Sequence, residues 1–519
     1  MENPYTAQDT NYQTRNTAQK IAQYRNDMWK KQHRAMLHNR RMMQMAKVNG
    51  KTTFKQNLSH LDQNPAKEKL IPLMREWMTK PVVLEKLIEY TDAIEDKDIF
   101  QQHFGIISLR RLLCESKNEK VVNQFGSRTI LRIITMTGFQ HQKHIQLEAT
   151  WCLANMVAGT TEQTNFLIQN NIINVFINLC TNEYKQIVEQ AVWGLGNISG
   201  DCVEFRTLIL KSNAHETIIN VYNRFYNDSA IVSYIAWVFL NICRTRRERE
   251  AYCPKIQAII KVLIDIFIRF NDNEILCDCL RGLRKYAKRD YISSFANMEF
   301  LAKLKQYYMN LFQKWNENVG LLSGVHSILG IVTSSEDENT DMIIKTGFLK
   351  ELARTSSADN VTMLREICFI CSNIAIGSEY QISALLSEPG LIDKIFELTY
   401  HNDDILSKEA LWTICNLSKT RSHQNIKILF ENKILDIFKH YLNADTNVKK
   451  IMLVLDSILQ LINFFDSIKE PGTRNQFINL MIKEELDYKI EDLQVHESED
   501  IYLKCLNILE NHFDLVKQV

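Results

Sequence analysis

The chain has 519 residues, 45% of them hydrophobic, with 62 Lys and Arg against 61 Asp and Glu. That is more chain than one hydrophobic core supports, so the sequence predicts several domains or a stack of repeats, and 16 Gly and 7 Pro are too little punctuation for an all-β protein. The opening "MENPYTAQDTNYQ" has no apolar leader and the greasiest run, "IQAIIKVLIDIFIRF", is broken by Lys261 and Asp265, so secretion and membrane insertion are not expected. Twelve Cys lie in apolar, helix-like surroundings and read as reduced core thiols rather than disulfides.

In chain order, the first feature is a basic arm. Residues 1 to 52 hold ten Lys or Arg and three Asp or Glu, a net of +7, which leaves 1 − 7 = −6 for the remainder. Such asymmetry predicts that the arm, about residues 1–60, meets an acidic surface on another molecule or on its own body, about residues 65–519.

Beyond the arm the sequence repeats. "LEATWCLANMVAGT" (147–160), "VEQAVWGLGNISGD" (188–201) and "VSYIAWVFLNICRT" (232–245) place Trp151, Trp193 and Trp237 at steps of 42 and 44 residues. Continuing the ruler reaches Arg281, His326, Phe369 and Trp412, each in an apolar-periodic helix, then "LVLDSILQLI" near 455 and "DIYLKCLNILENHF". One step back reaches "SLRRLLC" near 108. A helical period of about 40 to 47 residues predicts an all-α HEAT or armadillo solenoid of about ten repeats. Between ruler positions, "TNFLIQNNIINVFINLC" and "DMIIKTGFLKELART" each read as a helix, a turn containing Gly or Asn, and a second helix.

In three consecutive units a Trp is followed four residues later by an Asn, which puts both on one helix face. Ala191, Val192, Leu195 and Ile198 supply the buried side of the second unit, leaving Trp193 and Asn197 for a groove. An amide offers an acceptor and two donors to the backbone of an extended peptide, and indole faces form slots for Lys or Arg worth about 0.5–2 kcal/mol each. Asp201 and Asp278 could receive the cationic heads. Packing gives no evident reason for an amide at the same offset each time, so the ladder reads as a binding feature.

Other signals carry little. Gly194, Gly196 and Gly200 have the wrong spacing for a nucleotide loop and no preceding strand, "CFIC" (368–371) is a lone pair inside a repeat helix, and "HQKH" (141–144) lacks companion ligands. No nucleophile, base and acid converge, so no enzyme, cofactor or metal is expected.

The residues quoted resemble importin-alpha, an armadillo-repeat adaptor that carries nuclear localisation signals to importin-beta, and the resemblance covers nearly the whole chain. It implies a right-handed superhelical solenoid shuttling between cytoplasm and nucleus, without nucleic-acid or membrane binding. It implies a major signal-binding site at Trp151, Asn155, Trp193, Asn197, Trp237 and Asn241, with Gly159, Thr164 and Asp201 at the critical lysine and Gln190 and Asp278 nearby. A minor site would comprise Glu366, Phe369, Asn373, Glu409, Trp412 and Asn416. The arm segment "YRNDMWKKQHRAMLHNRRMMQMAKVNGKT" (24–52) resembles the importin-beta-binding helix, with Arg25, Lys30, Lys31, Arg34, Arg40, Arg41 and Lys47 as its contacts. The last repeat resembles the one that meets the nuclear export receptor, and nuclear pore proteins are further candidate partners.

The chain also departs from the family. Phe369 stands where the minor site has a Trp; Arg281 and Lys285 replace a Trp and a Tyr, and His326 with Gly330 replaces an Arg/Asn pair. Two added cations are expected to disfavour a long bipartite signal. The family's autoinhibitory Lys-Arg-Arg cluster is reduced here to "KVNGK", with Lys47 in place, which predicts weak self-competition. The alternative reading is an armadillo scaffold of a cytoskeletal or signalling assembly, which needs neither the arm nor a lysine-selective groove.

Overall fold

The computed structural model describes residues 67–115, 118–244, 253–288, 291–358, 360–468 and 472–513. Arg25, Lys30, Lys31, Arg34, Arg40, Arg41 and Lys47 of the arm lie outside the described residues. Every regular element among the described residues is helical, and no helix there is long and apolar enough to cross a membrane.

The ruler positions all fall on one kind of helix. Ten such helices occur among the described residues and divide between two compact units, Met1–Val262 and Leu263–Val519. The first unit holds α1 (Ile99–Glu115), α2 (Lys143–Met156), α3 (Lys185–Asp201) and α4 (Ser229–Ile242). The second holds α5 (Asn273–Arg284), α6 (Trp315–Thr333), α7 (Val361–Ile374), α8 (Asp404–Leu417), α9 (Val448–Ser467) and α10 (Glu499–Ile508). Within each unit every one of these packs on the next, so no repeat closes its own core.

Helix ends and turns obey local rules. Asp228, Asp272, Asn360, Asp403 and Asn447 cap the N-termini of α4, α5, α7, α8 and α9 with their side chains. Thr160 and Gln163 form a reciprocal capping box at the start of Thr161–Gln169. The turn joining the two short helices of a repeat uses a left-handed residue at Asn171, Asn213, Gly347, Lys433 and Glu485, with φ of 65°, 57°, 76°, 59° and 62°. Asn and Gly were expected there. Lys433 and Glu485 are not turn residues by type; the repeat geometry imposes a backbone that costs an ordinary L-residue about 1–2 kcal/mol.

The twelve cysteines are free thiols, nine of them buried. Burial pushes Cys180, Cys243, Cys368 and Cys415 up to about 12, as expected of core thiols. Cys368 and Cys371 of the "CFIC" run are both packed inside α7.

Candidate functional site

Helix α3 is built as a platform. Gln190, Trp193, Asn197 and Asp201 recur at three- and four-residue steps and so share one face. Trp193 is 1% exposed and Trp237, on α4, 0%. Their rings stack at 5.0 Å between centroids and 28°, with Tyr234 edge-on to Trp193 at 5.4 Å. Gly196 makes this possible: a Cβ at that position would lie 2.1 Å from the Trp237 ring. The same device appears in the second unit, where Phe369 packs on Gly330 with 3.1 Å left for a Cβ.

The amides have an architectural duty that spacing did not reveal. Nδ2 of Asn197 donates to the Ala154 carbonyl at 2.7 Å and that of Asn241 to the Gly196 carbonyl at 3.2 Å. Asn373 donates to the Gly330 carbonyl at 3.2 Å and Asn416 to the Ser372 carbonyl at 3.3 Å. Each bond reaches one repeat back, tying successive helices together. The expectation that packing gives no reason for a repeated amide is therefore corrected: one of its hydrogens stitches the stack. Nor does burial stop at Ala191, Val192, Leu195 and Ile198, because Trp193 and Asn197 are buried with them.

One acceptor remains after stitching. Asn197 Oδ1 and Gln190 Oε1 are buried on α3 without a hydrogen-bond partner among the described residues. A buried acceptor left in that state costs about 1–3 kcal/mol. Half-buried Asp201 accepts from Thr161 Oγ1 at 2.8 Å. Thr164 is fully buried and donates to the Val157 carbonyl at 3.1 Å. Gly159 lies where a Cβ would come within 2.1 Å of Gln163 Oε1.

At the start of the ladder the chain supplies its own cation. The Arg110 guanidinium lies over the Trp151 ring at 4.7 Å and pairs with buried Glu148 at 2.7 Å. Burial opposes the charge on Arg110, but Glu148, together with nearby Cys114 and Cys152, outweighs it and raises its pKa. One face of Trp151 is thus already taken, while Asn155 Nδ2 contacts Cys114 Sγ at 3.1 Å. Sequence reading singled out neither Arg110 nor Glu148, although Arg110 stands about one period before Trp151.

The second unit presents its aromatics differently. Phe369 is 47% exposed and Trp412 39%. Their polar companions are engaged within the chain: Glu366 meets Ser323 Oγ and, at 3.0 Å, His326 Nδ1, and Asn416 Oδ1 accepts from Lys419 Nζ at 3.1 Å. His326 Nε2 in turn meets Tyr308 Oη at 2.7 Å, which meets Thr355 at 2.7 Å. Glu409 is half-buried one turn before Trp412. Asp278 is buried on α5, and Arg281 and Lys285 of the same helix end are exposed. No group of three metal-ligating side chains occurs among the described residues.

A family model for the armadillo/beta-catenin-like repeat matches residues 160–200, and one for an atypical Arm repeat matches residues 478–518. The chain is 25% identical over 439 residues to importin subunit alpha-1a of Oryza sativa subsp. japonica, an overlap of 83% of this chain and 80% of that protein. It is 27% identical over 439 residues to importin subunit alpha-4 of Arabidopsis thaliana, an overlap of 83% and 79%. A crystal structure of an engineered protein shares the fold with a TM-score of 0.57, at 17% identity and covering 82% of this chain and 98% of that one. Over most of its length the chain is thus similar to importin alpha subunits, and two of its segments match armadillo-repeat models.

Proposed function

We propose that this chain is a nuclear import adaptor, which binds Lys/Arg-rich localisation signals of cargo along α2 to α4 and joins them to importin-beta through residues 1–60. The observation that carries the reading is the pair of buried acceptors on α3, Asn197 Oδ1 and Gln190 Oε1, on the same helix face as Asp201. An extended cationic peptide offers backbone N–H groups to amide oxygens and an ammonium to a carboxylate. The stacked, buried Trp193 and Trp237 fix α3 and α4 against one another beneath the site. Trp151, Asn155, Gly159, Thr164 and Asn241 complete the major site in this reading. Shuttling between cytoplasm and nucleus, and release through an export receptor, follow from the same role, which is binding without chemistry.

The minor site is proposed to be the weaker. Its aromatics Phe369 and Trp412 are available, but Glu366 and Asn416 already have partners within the chain. Two binding measurements test the proposal: the full chain with a Lys-rich peptide against an uncharged one, and residues 1–60 with importin-beta. Selective binding in both supports the adaptor. Failure of both returns the scaffold reading.

A further inference from the structure

The face formed by α5 and α6 has the wrong sign for the ligand just described. Arg281, Arg284 and Lys285 stand at the end of α5 at i, i+3 and i+4, all exposed, with exposed Lys288 just beyond. Arg284 is not a loose surface side chain: its guanidinium donates to the Gly320 carbonyl at 2.9 Å and to Ser323 Oγ at 3.0 Å on α6. Ser323 in turn contacts Glu366 on α7, and His326 holds the other carboxylate oxygen at 3.0 Å. This chain of contacts does two things at once. It fixes one cation in position beside two others, and it occupies the carboxylate that a cationic ligand would seek.

We propose that the α5–α6 face docks an acidic, extended peptide segment, with Arg281 and Arg284 receiving its carboxylates and Lys285 adding to the positive charge of the face. Arg284, with two of its N–H groups held by α6, keeps others to offer, and Arg281 one turn earlier can take a carboxylate bidentately. The half-exposed Phe369 on α7 offers an apolar neighbour to the stems of Glu side chains. The proposal does not rest on the adaptor reading, whose ligand carries the opposite charge.

The test uses the full chain and a fluorescein-labelled peptide of alternating Glu and Gly, followed by anisotropy at two salt concentrations. Saturable binding that weakens with salt is expected, with a loss of tenfold or more in Arg281→Glu/Lys285→Glu and about threefold in Arg281→Ala/Lys285→Ala. Circular dichroism and the thermal midpoint establish that each variant is folded; the alanine pair serves if the charge reversal is not. A Lys-rich peptide measured in parallel should bind both proteins within threefold of one another, so its failure to bind at all would sink the adaptor reading and leave this one standing. Absence of saturable binding by the Glu peptide, or binding unchanged by the substitutions, overturns the proposal. So does an oligouridylate that binds the same residues more tightly than the peptide, which would reassign the face to nucleic acid.

Discussion

Gly196→Ala tests whether the stitched Trp ladder is a rigid construction. The new Cβ would stand 2.1 Å and 2.7 Å from two atoms of the Trp237 ring and 2.9 Å from a Val238 methyl. Ordinary contact begins near 3.4 Å, so the indole must retreat by more than an ångström within a buried stack. Overpacking of this kind costs about 1–3 kcal/mol and losing the aromatic stack about 0.5–1.5. Against this, Ala in a helix interior gains about 1 kcal/mol over Gly. The net is a destabilisation of about 0.5–3.5 kcal/mol. Gly330→Ala is the matched control: its Cβ meets Phe369 at 3.1 Å, but that ring is exposed and can swing outward, so the change should be neutral or mildly stabilising. Urea unfolding followed by tryptophan fluorescence reads both. Equal stability of the two variants, or a gain in Gly196→Ala, would refute the reasoning.

Four further outcomes follow from the same contacts. Asn197→Ala removes one interrepeat bond together with an unpartnered oxygen, so its urea midpoint should fall less than that of Asn416→Ala, which loses two bonds worth about 1–2 kcal/mol in all; the reverse order would contradict the assignment of partners. Lys433→Gly relieves an exposed left-handed residue and should stabilise by about 0.5–1 kcal/mol after the entropy of glycine is subtracted, whereas a loss would show that Lys433 has an unrecognised role. At pH 8 the thiols held at about 12, Cys180, Cys243, Cys368 and Cys415, should resist iodoacetamide in the native chain while half-buried Cys253 and Cys277 react, as peptide mass mapping would reveal. Deleting residues 1–52 should raise affinity for a Lys-rich peptide by less than tenfold, because Lys47 alone of the family's cluster stands in place; calorimetric titration giving a larger gain would contradict weak self-competition.

The period was legible in the sequence because the same structural position carries a Trp, Arg, His or Phe at nearly constant intervals, and each falls on one of the ten stacked helices. The two-helix connections were legible wherever the turn used Asn171, Asn213 or Gly347, whose types match a left-handed backbone, and hidden where it used Lys433 or Glu485. Duties that cross repeats were not legible. A spacing identifies an Asn on a face, but the carbonyl it meets belongs to a helix one period earlier, so the Asn197 to Ala154 bond has no local signature. Gly196 illustrates the same limit, since its need for a bare Cα comes from a Trp on the following repeat helix. The cover of Arg110 over Trp151 and the engagement of Glu366 by His326 likewise depend on which helices stack. These contacts change the weight of the two candidate sites more than any motif did.

The most direct test of signal binding on α3 is the affinity of a labelled monopartite Lys-rich peptide for the full chain, compared between wild type and Asp201→Lys. A micromolar to nanomolar Kd corresponds to roughly −8 to −12 kcal/mol, and an opposed charge beside the buried acceptors should remove several of these. Thr161→Val, which deletes the Thr161 Oγ1 hydrogen bond to Asp201, controls for local rearrangement and should leave the affinity within a few fold. The account predicts a loss of at least a hundredfold in Asp201→Lys alone. Tight binding that both substitutions leave unchanged would contradict it.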